Sequence, residues 1–154
     1  MLNLAVNEAD GAFTNFLPLG GLPKVTENVS AGGNEFELLC RFFCFPGEWD
    51  EYEGLARFMF SSYITVPVYA NFFTWLGYGD DIAEMRSLWE QKDRAGAAAA
   101  APRELIEDTF LIGPPEKIRE RLDAYVAGGI TLPVITPITT PDKMEETIRA
   151  LAPR

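Results

Sequence analysis

The order of apolar and polar positions along the chain predicts strands that alternate with helices. The clearest strand covers residues 37–45, where Glu-Leu-Leu-Cys-Arg-Phe-Phe-Cys-Phe is almost continuously apolar. Such a run is typical of a parallel strand that is covered on both faces. Shorter strands are predicted at residues 12–17 and 132–138.

Helices are predicted around these strands, from apolar residues at helical spacing and from Pro and Gly at the segment ends. They cover residues 2–9, 23–31, two segments of 48–77 that Pro67 divides, 80–92, 102–109, 113–127 and 140–151. The alanine-rich segment 95–101 fits either a helix or a linker. Strands that alternate with helices predict an α/β fold with parallel strands and right-handed crossovers.

The beginning of the chain is unusual for a complete domain. Leu2, Ala5, Val6 and Ala9 recur at helical spacing, but no capping residue precedes them. Three strands are also few, because a parallel sheet needs helices on both faces or closure into a barrel. We therefore expect residues 1–154 to be a single domain fragment that lacks upstream strands.

Composition and charge narrow the function classes. The chain has 154 residues, of which 47% are hydrophobic and 23% charged, as in ordinary globular domains. Its net charge of −10 argues against a nucleic-acid surface. Histidine is absent, so imidazole is excluded as a base or metal ligand, and no metal site is expected. Without a signal peptide or an apolar stretch of about 18 residues, the chain is predicted to be cytoplasmic and without membrane contact.

The two cysteines, Cys40 and Cys44, both fall on the longest predicted strand. Four steps along a strand place their Cα atoms roughly 13 Å apart, whereas a disulfide requires about 7 Å or less. We expect two buried free thiols.

Two segments carry a resemblance to a known family. Residues 4–13, Leu-Ala-Val-Asn-Glu-Ala-Asp-Gly-Ala-Phe, are similar to the helix-to-strand junction A-x-x-A-D-G of the luciferase-like monooxygenase superfamily. Residues 111–118, Leu-Ile-Gly-Pro-Pro-Glu-Lys-Ile, followed by Ala-Gly-Gly-Ile at 127–130, resemble the same superfamily's G-x-P-E-x-[VI] and A-G-[VI] helix. Within it, the chain most resembles the oxidoreductases that use the deazaflavin coenzyme F420.

This resemblance implies a (β/α)8 TIM barrel of which the chain holds about the last three βα units. It also implies hydride transfer between a reduced cofactor and a small organic substrate, with F420 as the cofactor and FMN as the alternative. The family's main phosphate-binding and catalytic positions lie on earlier strands, so no catalytic residue can be assigned. A second reading is a catalytically inactive half-barrel that self-associates or acts as an interaction module, so a homo-oligomer is possible.

Barrel sites lie at the carboxyl ends of strands and on the loops that follow. That geometry nominates three groups of residues for cofactor or substrate binding: Thr14, Asn15 and Phe16; Phe43, Cys44 and Phe45; and Thr136, Pro137 and Thr139. We select Thr14, Asn15, Phe16 and Thr136 from these groups, with Asn15 as the first choice for a direct polar contact. The alternative for Asn15 is a turn asparagine that bonds to its own backbone.

We also select Arg41 as a binding residue, because a guanidinium inside an apolar strand needs an anionic partner. That partner is either a phosphate or carboxylate ligand at the barrel mouth or a nearby Asp or Glu.

Four aromatic residues in the predicted helical region are Tyr69, Phe72, Phe73 and Trp75. They either pack in the core or form an apolar lid over the site.

Overall fold

The computed structural model describes residues 1–33 and 35–152. The chain divides into two compact units, the first formed by Met1–Glu48 with Thr109–Arg154 and the second by Trp49–Asp108. The single-domain organisation expected for residues 1–154 stays a prediction.

Strands and helices alternate along the described residues. Their order is α1 (Leu2–Glu8), β1 (Gly11–Asn15), α2 (Leu22–Val29), β2 (Glu37–Pro46), α3 (Trp49–Ile64), α4 (Pro67–Leu76), α5 (Ala83–Glu90), α6 (Arg94–Ala100), α7 (Arg103–Thr109), β3 (Leu111–Gly113), α8 (Pro115–Ala127), β4 (Leu132–Pro137) and α9 (Met144–Leu151). This is an α/β fold, as expected.

All strand pairings in the first unit are parallel, and the long strand β2 is central. Strand β1 pairs with residues 37–41 of β2, β4 pairs with residues 39–44, and β3 pairs with residues 44–46. Since β1 and β4 overlap along β2, they must lie on its opposite edges. The three strands predicted from the sequence are therefore neighbours in one parallel sheet.

Strand β3 was not predicted. It has only three residues, all of them buried, so neither alternation nor a long apolar run marks it in the sequence. Its residues pair with the end of β2 from Cys44 to Pro46.

The sheet has one covered face and one less covered face. Thr14, Cys40, Phe42 and Cys44 alternate onto the covered face and are buried, and the ring of Phe42 lies 4.4 Å from that of Tyr125 in α8. On the other face, many side chains are half-buried or exposed. We call these residues the open face: Phe13, Asn15, Leu39, Arg41, Leu132, Val134 and Thr136.

A cluster of phenylalanines closes the carboxyl end of the sheet. Phe16 stacks on Phe43 at 5.3 Å between ring centroids, and Phe110 contacts Phe16, Phe43 and Phe45 at 5.4 to 6.0 Å. Phe16 follows β1 with a positive φ of 53°, which is uncommon for a residue with a side chain. Packing of its ring in this cluster compensates for that backbone conformation.

The second unit is helical. Its core includes Trp49 at the start of α3, whose ring lies beneath the guanidinium groups of Arg57 and Arg103 at 5.6 and 4.7 Å. Arg57 also donates to the carbonyl oxygens of Ala99 and Ala101 at the end of α6, which satisfies acceptors that a helix end leaves unpaired.

The helices of the second unit agree with the predicted ones except at the start of α5. The alanine-rich segment is helical as α6, and the Asp93 side chain accepts a hydrogen bond from the backbone of Gly96 at its start. Pro67 begins α4, as predicted. Helix α5 begins at Ala83 and not at residue 80.

The last helix also begins later than predicted. Thr140 was expected to cap it directly, but a 3₁₀ turn at Pro141–Lys143 comes between Thr140 and α9.

Candidate functional site

Three of the selected polar residues lie together on the open face. Asn15 is the last residue of β1 and is the register partner of Arg41 on β2. Thr136 on β4 is the register partner of Phe43, two residues beyond Arg41. Because side chains two residues apart point to the same side of a strand, all three face the same space near the carboxyl ends of the strands.

Arg41 is held by a hydrogen bond and by an aromatic ring. Its Nε atom donates to Oδ1 of Asn15 at 3.2 Å, and its guanidinium carbon lies 4.7 Å from the centre of the Phe43 ring. No carboxylate in residues 1–33 or 35–152 forms an ion pair with Arg41. The structural alternative, a pair with a nearby Asp or Glu, is therefore not found in the described part of the chain.

Thr14 lies on the covered face and not with Asn15 and Arg41. Its hydroxyl donates to the carbonyl oxygen of Leu39 at 3.0 Å, and its register partner is Cys40. The structure thus gives Thr14 a role in joining β1 to β2.

Phe16 is buried in the phenylalanine cluster. It touches the ring of Phe43, which in turn lies under the Arg41 guanidinium. The ring of Phe16 therefore packs against the ring on which Arg41 lies. The other nominated residues of β2, Cys44 and Phe45, are also buried.

Burial keeps the two thiols protonated near neutral pH. Both are free and buried on β2, as predicted. Burial raises the pKa of Cys40 to about 11 and that of Cys44 to about 12. Because the thiolate is the reactive form, the open face and not these cysteines is the candidate site.

The four helical aromatic residues lie within the second unit. Phe73 is buried against Phe60, with ring centroids 5.7 Å apart, and Phe72 stacks on Trp75 at 5.9 Å. Phe73 therefore packs in the core of the second unit. An apolar lid formed by Tyr69, Phe72 and Trp75 stays a prediction.

Neither a metal cluster nor a membrane-spanning helix occurs in the part of the chain that the structure describes. No group of three or more His, Cys, Asp or Glu residues there could hold a metal ion. No helix there is long and apolar enough to cross a membrane.

Sequence reasoning missed the two residues that support this site from a distance. Phe110 lies outside every strand and predicted apolar stripe, yet it closes the phenylalanine cluster. Tyr125 was predicted only as an apolar position of α8, but its hydroxyl donates to the carbonyl oxygen of Leu17 at 2.7 Å. All of these contacts join residues that are far apart in the sequence, so no local pattern indicates them.

The fold and the open face define a parallel α/β protein whose polar side chains gather at the carboxyl ends of the strands, where such sheets bind ligands. The sequence pattern of the luciferase-like monooxygenases matches residues 1–132. The chain belongs to this family. No curated protein sequence gave a significant match.

Two solved structures resemble the chain. One is the coenzyme F420-dependent tetrahydromethanopterin reductase from Methanopyrus kandleri, with a TM-score of 0.67 and 17% identity over 98% of this chain. The other is an F420-dependent secondary alcohol dehydrogenase in complex with an F420–acetone adduct, with a TM-score of 0.56 and 14% identity over 99% of this chain. The chain spans 46% of the length of each. At these identities, the likeness establishes the fold.

Proposed function

We propose that the chain forms the last three βα units of a (β/α)8 barrel oxidoreductase, which transfers a hydride between reduced coenzyme F420 and a small organic substrate. The family assignment and the 46% share of two F420-dependent enzymes support this proposal. Three long parallel strands are too few to close a barrel, so five further βα units would complete it.

The open face is the observation that carries the proposal. Phe13 and Leu132 are 62% and 50% exposed there, although they belong to the strands on either side of β2. In a closed barrel, this face becomes the interior and its polar carboxyl end becomes one wall of the pocket. The exposed apolar side chains are then covered.

The residues of the open face fit part of a flavin-like group. Leu39 and Val134 offer an apolar wall for a flat ring, and Asn15, Arg41 and Thr136 offer polar groups for its edges or its substituents. When bound, the cofactor supplies the hydride chemistry. The residues of this chain bind the cofactor and orient it. FMN, which would fit the same wall, is the alternative cofactor.

Cofactor binding tests the proposal. The gene would be expressed with its in-frame upstream sequence, which should encode about 130 to 180 residues with five βα units. We expect F420 fluorescence to change saturably with the extended protein, and more strongly than FMN fluorescence does. If neither cofactor binds, or if no such upstream strands are encoded, the proposal fails.

A second candidate function is self-association of an inactive half-barrel, which the exposed Phe13 and Leu132 also favour. Within the described residues, β1 and β4 each pair only with β2, and unpaired edges can add further strands. Two copies would nevertheless supply only six long strands, which is fewer than the eight of a closed barrel. Their net charges of −10 each would also repel one another. Size-exclusion chromatography with light scattering distinguishes the two, since a defined dimer supports self-association and a stable monomer contradicts it.

The proposal includes a small-molecule substrate and a cytoplasmic location, without nucleic-acid or membrane partners. The acidic net charge of −10 disfavours a nucleic-acid partner. The two free thiols fit the reducing cytoplasm.

A further inference from the structure

We infer that Arg41, positioned by Asn15, is a subsite for a carboxylate or phosphate group, so that the ligand of the open face is anionic. This inference rests on the proposed function, because it names the class of ligand that the proposed pocket takes.

Arg41 is the only basic side chain on its face of β1, β2 and β4 as the structure describes them. The acidic residue on the same face is Glu37, at the opposite end of β2. Four residues along a strand separate their Cα atoms by about 13 Å, which is far beyond ion-pair distance. The charge of Arg41 is therefore not neutralised by its own sheet.

The contacts of Arg41 leave part of its guanidinium available. Asn15 accepts from Nε, and the Phe43 ring lies against the guanidinium plane. The two terminal Nη groups form no hydrogen bond or ion pair with a described residue. A guanidinium that is fixed at Nε and flat on a ring still presents paired donors, and this geometry matches the two oxygens of a carboxylate or phosphate.

Closure of a barrel over this face would remove water from Arg41. An unpaired buried guanidinium is strongly unfavourable, so an anion must come from the ligand or from a carboxylate on another strand. Its neighbour Asn15 favours the ligand, because a neutral amide positions the guanidinium without neutralising it. A net charge of −10 also disfavours general anion binding, so saturable binding would indicate a built site.

The test is a titration of the 154-residue chain with inorganic phosphate and, separately, with succinate, followed by the backbone amide ¹⁵N signals of residues 41–43, which the Arg41 variants also retain. We expect the Arg41 signal to shift saturably, with a dissociation constant on the order of millimolar. Arg41→Gln should weaken binding at least about tenfold. Arg41→Lys, which keeps the charge but not the paired donors, should weaken it less.

Arg149→Gln is the matched control, because it makes the same charge change on the exposed surface of α9, where Arg149 pairs with Glu145 at 2.7 Å. It should leave anion binding unchanged. A linear, non-saturating shift, or equal binding by Arg41→Gln and the unmodified chain, would overturn the inference. Thermal melts establish that each variant is folded.

The two proposals fail separately. If the extended protein binds F420 but neither phosphate nor succinate shifts Arg41, the anion subsite is wrong and the oxidoreductase proposal stands. If the chain binds phosphate or succinate at Arg41 but the extended protein binds neither cofactor, the oxidoreductase proposal is wrong and the anion subsite stands. Arg41 binding in the 154-residue chain that disappears in the extended protein would identify a protein carboxylate as the partner and would also overturn the inference.

Discussion

The Nε atom of Arg41 donates a 3.2 Å hydrogen bond to Oδ1 of Asn15 across the β1–β2 ladder. The two residues are register partners, so the contact follows directly from the alignment of the strands. A neutral acceptor at this position orients the guanidinium and leaves its charge intact.

Asn15→Asp should therefore weaken phosphate binding to the chain. The new carboxylate would pair with Arg41 and would repel an incoming anion, so we expect the dissociation constant to rise at least about tenfold. The titration with inorganic phosphate described above measures it.

Asn28→Asp is the control for that variant, because it introduces the same charge on α2, where the half-buried Asn28 donates to the Lys24 carbonyl. Phosphate binding should be unchanged in it. Equal weakening in both variants would mean that net charge, and not the Arg41 contact, controls binding.

Tyr125→Phe should destabilise the first unit. The Tyr125 hydroxyl donates to the carbonyl of Leu17 at 2.7 Å, and both residues are buried. Its loss leaves a buried carbonyl without this donor, which costs about 1 to 3 kcal/mol of unfolding free energy. Urea denaturation of both proteins measures the difference.

Tyr78→Phe serves as the matched control in the second unit. Its side chain is only partly buried and no hydrogen bond to a described residue depends on its hydroxyl. We expect a change within about 0.5 kcal/mol. If Tyr125→Phe costs no more than this control, the Leu17 bond does not contribute to stability.

The sequence could predict the three long strands because β2 is a nearly continuous apolar run and because Pro and Gly bound the shorter runs of β1 and β4. The position of Arg41 on the open face also follows from alternation, since it stands one residue from the buried Cys40 and Phe42. Thr14 shows the limit of this reasoning. Its place near the end of β1 nominated it for the site, but alternation turns it away from Asn15.

Contacts between distant segments could not be predicted. The register that pairs Asn15 with Arg41, and Phe43 with Thr136, depends on how three strands align, and local sequence patterns do not indicate that alignment. The same holds for Phe110, whose contacts depend on a three-residue strand that local patterns do not mark.

Gly11→Ala should weaken the pairing of β1 with β2. A Cβ atom at Gly11 would overlap the backbone carbonyl oxygen of Glu37, and backbone cannot move aside without disturbing the ladder. We expect a loss of about 1 to 3 kcal/mol in unfolding free energy by urea denaturation.

Gly54→Ala makes the same chemical change with the opposite expected sign. Gly54 lies within α3, and a Cβ atom there would meet no other atom within 4 Å. Since alanine favours a helix over glycine, stability should rise by about 0.5 to 1 kcal/mol. Equal effects of the two substitutions would contradict the close approach of Gly11 to β2.

The buried thiols should make the protein less stable in alkali. Burial raises the pKa of Cys40 to about 11 and that of Cys44 to about 12, from 9.0. Above pH 9, the unfolded chain loses thiol protons that the folded chain retains, so the unfolding free energy falls as the pH rises. The fall ends near pH 11 for Cys40 and near pH 12 for Cys44.

Urea denaturation at pH 8, 9, 10 and 11, which runs from below the ordinary thiol pKa of 9.0 to about the pKa of Cys40, measures this dependence in the unmodified chain and in Cys44→Ala. Each thiol contributes up to about 1.4 kcal/mol per pH unit in this range. The variant should therefore have a shallower pH dependence, even though its stability at pH 8 is lower because a buried sulfur is lost. Lysine and tyrosine residues titrate equally in both proteins, so the difference between the two slopes isolates Cys44. Parallel slopes would mean that the Cys44 thiol ionises as readily in the folded protein as in the unfolded chain.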